Sequence, residues 1–406
     1  MSTTLTPQLA LAAIDARLAP LPTELRPLEK CIGQTLRQDV YAERDNPPFD
    51  RVCMDGIAID STAFARGVRR YAIQASQPAG APAVTLSDTA NAVEVMTGAI
   101  LPHGTDCVIP LEEYEQSTGS VSLKDETRGN PYRNVQRRGE DSHPDVPMLK
   151  AGARLGGPEI GVAASAGLPA LLVSRQPRLM VISTGDELIE PGQPIAEHQV
   201  RRSNAYAVVA ELRARGLEQV GNDHIADDER RLREHLTRHL AEREVLIVSG
   251  GISKGRFDLV PKVLKQLGVE EVFHEVAQRP GAPMWFGVGT SGQLVFGLPG
   301  NPVSTLICLV RYVVPAIASI MASPRVPPQP IPLAGAAKFY RAMTYFVPVA
   351  IRHDARGGVA ALPRPPNGPG DFLALAGTDG FIELPPRPEP FPEGFVASVY
   401  RWSREE

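Results

Sequence analysis

The middle of the chain alternates short apolar runs with longer amphipathic segments. The apolar runs have the length and composition of buried strands, at residues 179–183, 245–249, 272–276, 284–288 and 293–297. The amphipathic segments predict helices, at residues 203–216, 228–241, 258–268 and 302–317. Ser203 or Asn204 is expected to be the N-cap of the first helix. Strands that alternate with helices predict a mostly parallel sheet with helices on both faces.

The flanking segments do not share this alternation. Residues 46–140 carry short alternating runs between glycines and prolines, which predicts a small β-rich domain. Residues 327–406 are rich in proline and contain short strand candidates, which indicates a β-barrel-like domain or a sandwich. Residues 1–45, which start with a short amphipathic helix, are expected to pair with 141–177 as an elongated linking domain. The predicted fold is therefore multidomain α/β plus β, with a central three-layer α/β domain at 178–326.

Composition narrows the class of protein. Of 406 residues, 43% are hydrophobic and 22% charged, which is the balance of a globular protein. A net charge of −4 without a basic block argues against nucleic acid as a partner. The four cysteines are scattered and form no CxxC pair, as expected of reduced thiols in the cytoplasm. The N-terminus lacks the pattern of a signal peptide, and no stretch is expected to span a membrane.

Three predicted strands of the central domain end in glycine-rich turns. The turns are STGDE at 183–187, SGGISKG at 249–255 and GLPGNPVS at 297–304. Ligands of such sheets bind outside the carboxyl ends of the strands, and turns without a Cβ let backbone N–H groups approach an anion. A single turn of this kind is usually a plain strand-to-helix connection, but three at one edge indicate a phosphate-binding site. The residues predicted to bind that ligand are Thr184, Gly185, Asp186, Ser249, Gly250, Gly251, Gly297, Pro299, Gly300 and Asn301.

The third turn leads into a helix. Asn301 is predicted to be the cap and Pro302 to lie in the first helical turn, where unpaired N–H groups attract anions. The sequence has neither the GxGxxG opening of a dinucleotide fold nor a GxxxxGK[ST] P-loop, so another arrangement must hold the phosphate.

Acidic residues near these turns suggest a cation. The candidate Mg²⁺ ligands are Asp186, Glu187, Asp227, Asp228 and Asp258, because Mg²⁺ binds one or two carboxylates together with phosphate oxygens. Helix capping is an alternative role for Asp228 and Asp258. His235 and His239 have the i, i+4 spacing of a zinc pair, but they lie among arginines, which favours a solvated helix face.

Seven segments, in this order, resemble one family. They are FDRVCMDGIAID (49–60), MTGAILPHGTDCVIPLEE (96–113), RRGED (137–141), STGDEL (183–188), SGGISKGRFD (249–258), RPGAPMWFG (279–287) and GLPGNPVS (297–304). Together they resemble molybdopterin molybdenumtransferase, the MoeA family, which includes the C-terminal domain of gephyrin. The resemblance covers nearly the whole chain.

The resemblance implies a function and an assembly. Family members insert molybdenum from molybdate into adenylylated molybdopterin and release AMP in the presence of Mg²⁺. They form elongated homodimers, in which residues 46–140 would act as a lid and residues 1–45 with 141–177 would link the subunits. A molybdopterin adenylyltransferase and molybdoenzyme apoproteins are the further partners that it suggests. Carried over by motif, the catalytic residues are Asp55, Thr97, Asp141, Glu187, Ser253, Arg279 and Pro283. The resemblance also makes Asp227 and Asp258 the expected contacts of Mg²⁺ or of the nucleotide phosphate.

The chain departs from the family pattern in three places. Where the family has KPGKP, this chain has Arg279, Pro280, Gly281, Ala282 and Pro283, so the second lysine is replaced by alanine. Ile57 replaces the tyrosine that usually follows MDG, and the C-terminal arginine and serine align with Pro348 and Pro369. Lys254, Arg256 or Arg341 are the cations expected to compensate. Ala282 and the altered C-terminal domain favour one alternative, a non-catalytic paralogue that binds or delivers molybdopterin or the cofactor. A less favoured alternative is a molybdopterin adenylyltransferase, because the family's relatives perform that step with a domain that resembles residues 178–324.

Overall fold

The computed structural model describes residues 4–252, 259–338, 342–368 and 370–403. The chain divides into two compact units, one of residues 1–24, 33–35 and 173–406 and the other of residues 25–32 and 36–172. They are called the large unit and the small unit below. The finer boundaries at residues 45, 140, 177 and 326 stay predictions.

Regular elements occupy much of both units. The α-helices are α1 (Pro7–Asp15), α2 (Ser61–Ala65), α3 (Gly157–Ser165), α4 (Ser203–Ala214), α5 (Glu229–Glu242), α6 (Leu259–Gln266), α7 (Pro302–Cys308) and α8 (Val314–Ile320). The strands are β1 (Thr23–Pro27), β2 (Val40–Tyr41), β3 (Arg51–Val52), β4 (Gly56–Ile59), β5 (Arg70–Gln77), β6 (Asn91–Val95), β7 (Cys107–Pro110), β8 (Tyr114–Ser117), β9 (Ser120–Leu123), β10 (Val135–Gln136), β11 (Pro147–Leu149), β12 (Ala170–Ser174), β13 (Leu179–Thr184), β14 (Leu188–Ile189), β15 (Val200–Arg201), β16 (Val220–Ile225), β17 (Val245–Ser249), β18 (Glu270–His274), β19 (Gln278–Arg279), β20 (Trp285–Val288), β21 (Leu294–Leu298), β22 (Gln329–Pro332), β23 (Thr344–His353), β24 (Val359–Pro363), β25 (Gly380–Leu384) and β26 (Val396–Arg401).

The central sheet of the large unit has the strand order β16-β13-β17-β21-β20-β18. The first four strands are parallel, whereas β20 and β18 continue the sheet as antiparallel strands. This arrangement confirms the mostly parallel sheet. Because the four parallel strands run the same way, their carboxyl ends lie at one edge.

Helices cover both faces of this sheet, as the sequence predicts. Successive side chains of a strand point to opposite faces, so Leu179 and Val181 of β13 pack in one apolar core with α4. Met180 and Ile182 pack in a second core with α5 and α6. Strands whose side chains are buried on both faces are nearly all apolar, which explains the continuous apolar runs in the sequence.

The start of α4 differs from the prediction. Arg202 occupies the N-cap position, and no side chain caps this helix end. Neither Ser203 nor Asn204 is therefore the cap, and the side chain of Asn204 is used elsewhere. The prediction of Asp228 as the cap of α5 is confirmed, because its carboxylate accepts a hydrogen bond from Arg231 N–H.

The last helical segment of the central region runs through α7, one π-helical turn at Leu309–Val313, and α8. A π turn inside a helix is a local insertion that commonly marks a functional or strained position. By length and composition, the run Pro302–Ile320 is apolar enough to cross a membrane. The expectation that no stretch has the length and composition of a membrane span was therefore wrong. Burial of 72% of that window inside the protein is typical of a core helix, and the finding is weak evidence for a membrane span.

A second sheet follows in the large unit, with the order β19-β23-β25-β26-β22 and with β24 paired to β23. Val303 and Ile307 of α7 pack against its Phe346 and Phe381. Ala334 N–H donates to the Ala361 carbonyl, next to a bridge between Leu333 and Ala361. The β character predicted for the C-terminal segment is therefore confirmed.

The small unit contains a six-stranded sheet with the order β7-β4-β6-β5-β9-β8. All four residues of β4 are buried, because Ile57 and Ile59 face one apolar core and Ala58 faces another. The β-rich character predicted for 46–140 is confirmed. Outside this sheet, β2 pairs with β11 and so joins segments 1–45 and 141–177.

Candidate functional site

The three glycine-rich turns start from one row of the central sheet. Ser183 of β13 is in register with Ser249 of β17, and Ser249 is in register with Leu298 of β21. The chain leaves the sheet directly after these positions, so the turns emerge side by side at the carboxyl edge. Parallel pairing with this register brings together residues that are more than 100 positions apart in the chain.

The turns approach one another so closely that a side chain at Gly250 or Gly251 would collide with Thr184. A Cβ on Gly250 would lie 2.7 Å from the Thr184 carbonyl oxygen, and one on Gly251 would lie 2.7 Å from Thr184 Oγ1. A Cβ on Gly300 would lie 3.7 Å from Gly250 Cα. Both Gly250 and Gly251 also have positive φ angles, +98° and +62°. Thr184, Gly250 and Gly300 therefore lie side by side, and glycine is required at positions 250 and 251 by contact and by backbone conformation.

Asn204 holds these turns together. Its side-chain Nδ2 lies 2.7 Å from the Gly300 carbonyl oxygen, 3.1 Å from Ser249 Oγ and 3.2 Å from Thr305 Oγ1. Thr305 Oγ1 in turn lies 2.6 Å from the Pro299 carbonyl oxygen, to which it donates. Asn204 was predicted only as one of two candidate helix caps, because a polar residue at a helix start gives no indication of contacts with distant turns.

Buried hydroxyl groups line the same edge. Ser183 Oγ and Thr184 Oγ1 are buried and, within the described residues, have no hydrogen-bond partner, and the same holds for Asn204 Oδ1. An unpaired buried polar atom costs about 1–3 kcal/mol. Polar groups left without a partner at a strand edge fit a site that receives a polar ligand.

The first turn is shaped by its acidic residues and by a histidine. His224 Nε2 donates to the Gly185 carbonyl oxygen at 2.9 Å, and Gly185 has φ +142°. The carboxylate of Glu187 folds over Gly185, where a Cβ would lie 2.5 Å from Glu187 Oε2. Asp227 N–H donates to Asp186 Oδ1 at 3.1 Å. The structure therefore places Asp186, Glu187 and Asp227, three exposed acidic residues, at the first turn.

The remaining residues of this predicted site have different surroundings. Gly297 lies inside β21 and not in the turn, and its missing Cβ leaves room for Ile252 and Trp285. Packing therefore explains this glycine without a ligand. Asn301 occupies the N-cap position of α7, but its side chain makes no capping hydrogen bond. Ser253 and Asp258 lie outside the described residues, as do Lys254 and Arg256.

The segment 279–283 contacts parts of the chain other than the three glycine-rich turns. Arg279 is exposed in β19 and pairs with Tyr345 of β23, whereas the Ala282 carbonyl oxygen accepts hydrogen bonds from Val276 and Met284 N–H. Pro283 is half-buried. The contacts described for this segment do not bring it to Thr184 or Gly250. Pro348 is buried in β23, and Arg341 and Pro369 lie outside the described residues.

In the small unit, two predicted catalytic residues are in direct contact. Asp55 Oδ1 accepts hydrogen bonds from Thr97 N–H at 2.6 Å and from Thr97 Oγ1 at 2.7 Å. These bonds lower the pKa of the Asp55 carboxyl, since they favour its charged form. Asp141 is exposed and accepts a hydrogen bond from Gln136. Ile57, at the position usually occupied by tyrosine, is fully buried in β4.

The histidine pair departs from its prediction as well. His239 is only 3% exposed, so the interpretation of a solvated helix face was wrong for this residue. Both His235 and His239 hydrogen-bond to Asp223 of β16. Sequence reasoning missed this partner, because the strand residue and the helix residues meet only in the folded chain.

Comparison with known proteins gives the class. Residues 5–167 match "MoeA N-terminal region (domain I and II)", residues 180–319 match "Probable molybdopterin binding domain", and residues 331–402 match "MoeA C-terminal region (domain IV)". The chain therefore belongs to the MoeA family of molybdenum-cofactor enzymes, the molybdopterin molybdenumtransferases.

Individual relatives agree with this assignment. A molybdopterin molybdenumtransferase from Synechocystis sp. is 39% identical over 91% of this chain and 93% of its own length. Another from Staphylococcus epidermidis is 29% identical over 92% of this chain and 89% of its own length. The crystal structure of the molybdopterin biosynthesis MoeA protein from Pyrococcus horikosii has a TM-score of 0.83 at 26% identity and covers all of both chains. The resemblance noted in the sequence is thus confirmed, and this chain is a transferase of molybdenum cofactor biosynthesis.

Proposed function

We propose that this protein inserts molybdenum from molybdate into adenylylated molybdopterin, with Mg²⁺ present and with release of AMP. The observation that carries the proposal is the joined surface of Thr184, Gly250 and Gly300 at the carboxyl edge. Backbone N–H groups of glycine turns are suited to hold the phosphates of the substrate. The hydroxyls of Ser183 and Thr184, which have no partner among the described residues, are further groups for polar atoms of the pterin or the nucleotide.

The acidic residues beside the first turn fit a magnesium ion in their chemistry. Asp227 is exposed, and its backbone is hydrogen-bonded to the side chain of Asp186. Carboxylate oxygens are the protein ligands that Mg²⁺ prefers. Asp227, together with the predicted Asp258, would hold the ion, which when bound neutralises phosphate charge. Asn204 contributes by keeping the turns in position, and it does not itself have to touch the substrate.

The proposal extends to the predicted catalytic residues. Glu187 lies over Gly185 at the first turn, and the Asp55 carboxylate is kept charged by its two hydrogen bonds from Thr97. The proposed catalytic set also includes four residues that are carried over from the family motifs, namely Asp141, Ser253, Arg279 and Pro283.

The finer assembly also belongs to the proposal. We expect a cytoplasmic homodimer with residues 46–140 as a lid, a linking domain and a barrel-like C-terminal domain. A molybdopterin adenylyltransferase would supply the substrate, and molybdoenzyme apoproteins would receive the product.

The test is an AMP-release assay. Purified protein is incubated with adenylylated molybdopterin, with and without molybdate and Mg²⁺, and AMP is measured by chromatography. Release that requires both additions, and that falls strongly in Asp227→Asn, supports the proposal. No release under conditions in which a verified family member is active would reject it.

One observation favours a second function: position 282 is alanine, where the family has lysine. Its methyl group cannot supply the cation that the family has at this position, so molybdate would be bound more weakly. If the protein instead binds molybdopterin or the finished cofactor tightly without molybdate-dependent release of AMP, it carries or delivers the pterin. Formation of adenylylated molybdopterin from ATP would identify an adenylyltransferase.

A further inference from the structure

A cluster of metal-ligating side chains lies on the helix-covered side of strand β16. Asp223 Oδ2 is 2.8 Å from His235 Nδ1 and 2.7 Å from His239 Nε2. One potential ligand atom from each of the three residues lies within 4.8 Å of the other two. The i, i+4 spacing places both imidazoles on one face of α5, and α5 packs on β16. Three ligands from two adjacent elements therefore converge on one point.

The orientation of each group is set by the fold. Asp223 Oδ1 accepts the His224 N–H at 2.8 Å, which leaves Oδ2 to face the histidines. His239 Nδ1 is buried and has no hydrogen-bond partner in the described chain, so Nε2 is the atom through which this ring interacts. Asp223 Oδ2 is thus aimed at both imidazoles.

We propose that Asp223, His235 and His239 form a binding site for a divalent transition-metal ion of the zinc class. Two imidazole nitrogens and one carboxylate oxygen are a usual ligand set for Zn²⁺. A bound metal requires an unprotonated nitrogen from each imidazole, so each ring would carry its proton on the nitrogen that does not face the metal. A water molecule would complete a tetrahedron from the side of His235, whose side chain is 29% exposed. The ion would fasten α5 to the edge strand β16.

One neighbouring charge opposes the ion and provides a sharp test. Arg238 Nη2 lies 3.5 Å from Asp223 Oδ2 and is half-exposed in its side chain, at 53%. A metal ion at this carboxylate would repel that guanidinium, which must turn away toward solvent. Removal of the guanidinium in Arg238→Gln should therefore strengthen metal binding. If the cluster is only a structural hydrogen-bond network, neither the wild type nor Arg238→Gln should bind the metal.

The experiment measures bound metal directly. Tag-free full-length protein is dialysed against micromolar ZnCl₂, bound zinc is counted by mass spectrometry, and affinity is measured by titration. The visible spectrum with Co²⁺ in place of Zn²⁺ reports the coordination geometry. The main variant is His235→Gln, which alters a partly exposed ring, and the matched control is His353→Gln, which alters an exposed histidine in the C-terminal sheet.

The expected result is one Zn²⁺ per chain and a four-coordinate Co²⁺ spectrum. Affinity should fall by more than about 10–100-fold in His235→Gln, because that range is the cost of losing only a hydrogen-bond partner of a ligand. It should stay unchanged in His353→Gln and rise in Arg238→Gln. Zn²⁺ should raise the melting temperature of the wild type but not of His235→Gln. Zinc binding that is absent, or that is equal in wild type and His235→Gln, would overturn the proposal. None of these measurements depends on the release of AMP, so the outcome is independent of the proposed function.

Discussion

Asn204 allows the clearest test of how the turns are held together. Asn204→Asp keeps the shape of the side chain but replaces its donating Nδ2 with an oxygen. The Gly300 carbonyl, now 2.7 Å from a donor, would then face a negatively charged acceptor. Repulsion between these oxygens should separate the start of α4 from the turn after β21.

The magnitude follows from the hydrogen bonds that are lost. The amide group has two protons for three acceptors, so two bonds are fully made, and each contributes roughly 0.5–1.5 kcal/mol. Asn204→Ala should therefore lower the free energy of unfolding by roughly 1–3 kcal/mol. Asn204→Asp should cost more, because it adds repulsion. Displacement of the turns by about 1 Å can reduce the rate of AMP release about 100-fold.

Melting temperature and AMP release are measured together for both variants. The control is Gln8→Ala, which removes a side-chain amide from the same unit, where Gln8 donates one hydrogen bond to Glu383. This control should keep wild-type activity. If Asn204→Asp melts and turns over like the wild type, the bridging role of Asn204 is refuted.

Three other predictions concern backbone space, pH and charge. Gly250→Ala should lose stability and AMP release, because its Cβ would clash with the Thr184 carbonyl. The control is Gly292→Ala, which has a similar φ of +85° but open space, and it should show backbone strain alone. Equal losses of stability in the two variants would contradict the clash. Hydrogen bonds from neighbouring arginines, which outweigh the effect of burial, lower the pKa of Glu244 to about 2. The stability that the Glu244 carboxylate contributes should therefore be complete above about pH 4.5 and lost as pH falls toward 2. The free energy of unfolding, measured as pH is lowered, should fall less steeply for Glu244→Gln than for the wild type. Identical pH curves would disprove this. Ala282→Lys should strengthen the molybdate dependence of AMP release, and an unchanged response would show that this residue does not face the oxyanion.

The alternation of strands and helices in the central region was predictable from sequence, because burial on both faces of a sheet demands apolar runs. The runs at 179–183, 245–249 and 293–297 each correspond to a strand, shifted by one residue at most. Glycine-rich turns after strands also identified the edge where Thr184, Gly250 and Gly300 meet. The order of seven motifs identified the family.

Only the tertiary structure decided which distant groups share a contact. Asn204 was one of two candidate helix caps, yet its amide reaches the end of β17, the turn after β21 and helix α7. His239 read as solvated, yet it is buried against Asp223. A local pattern reports whether a position is polar and where it falls in a helix or strand. The partner of a polar group depends on strand order and register, and these arise from the packing of the whole chain.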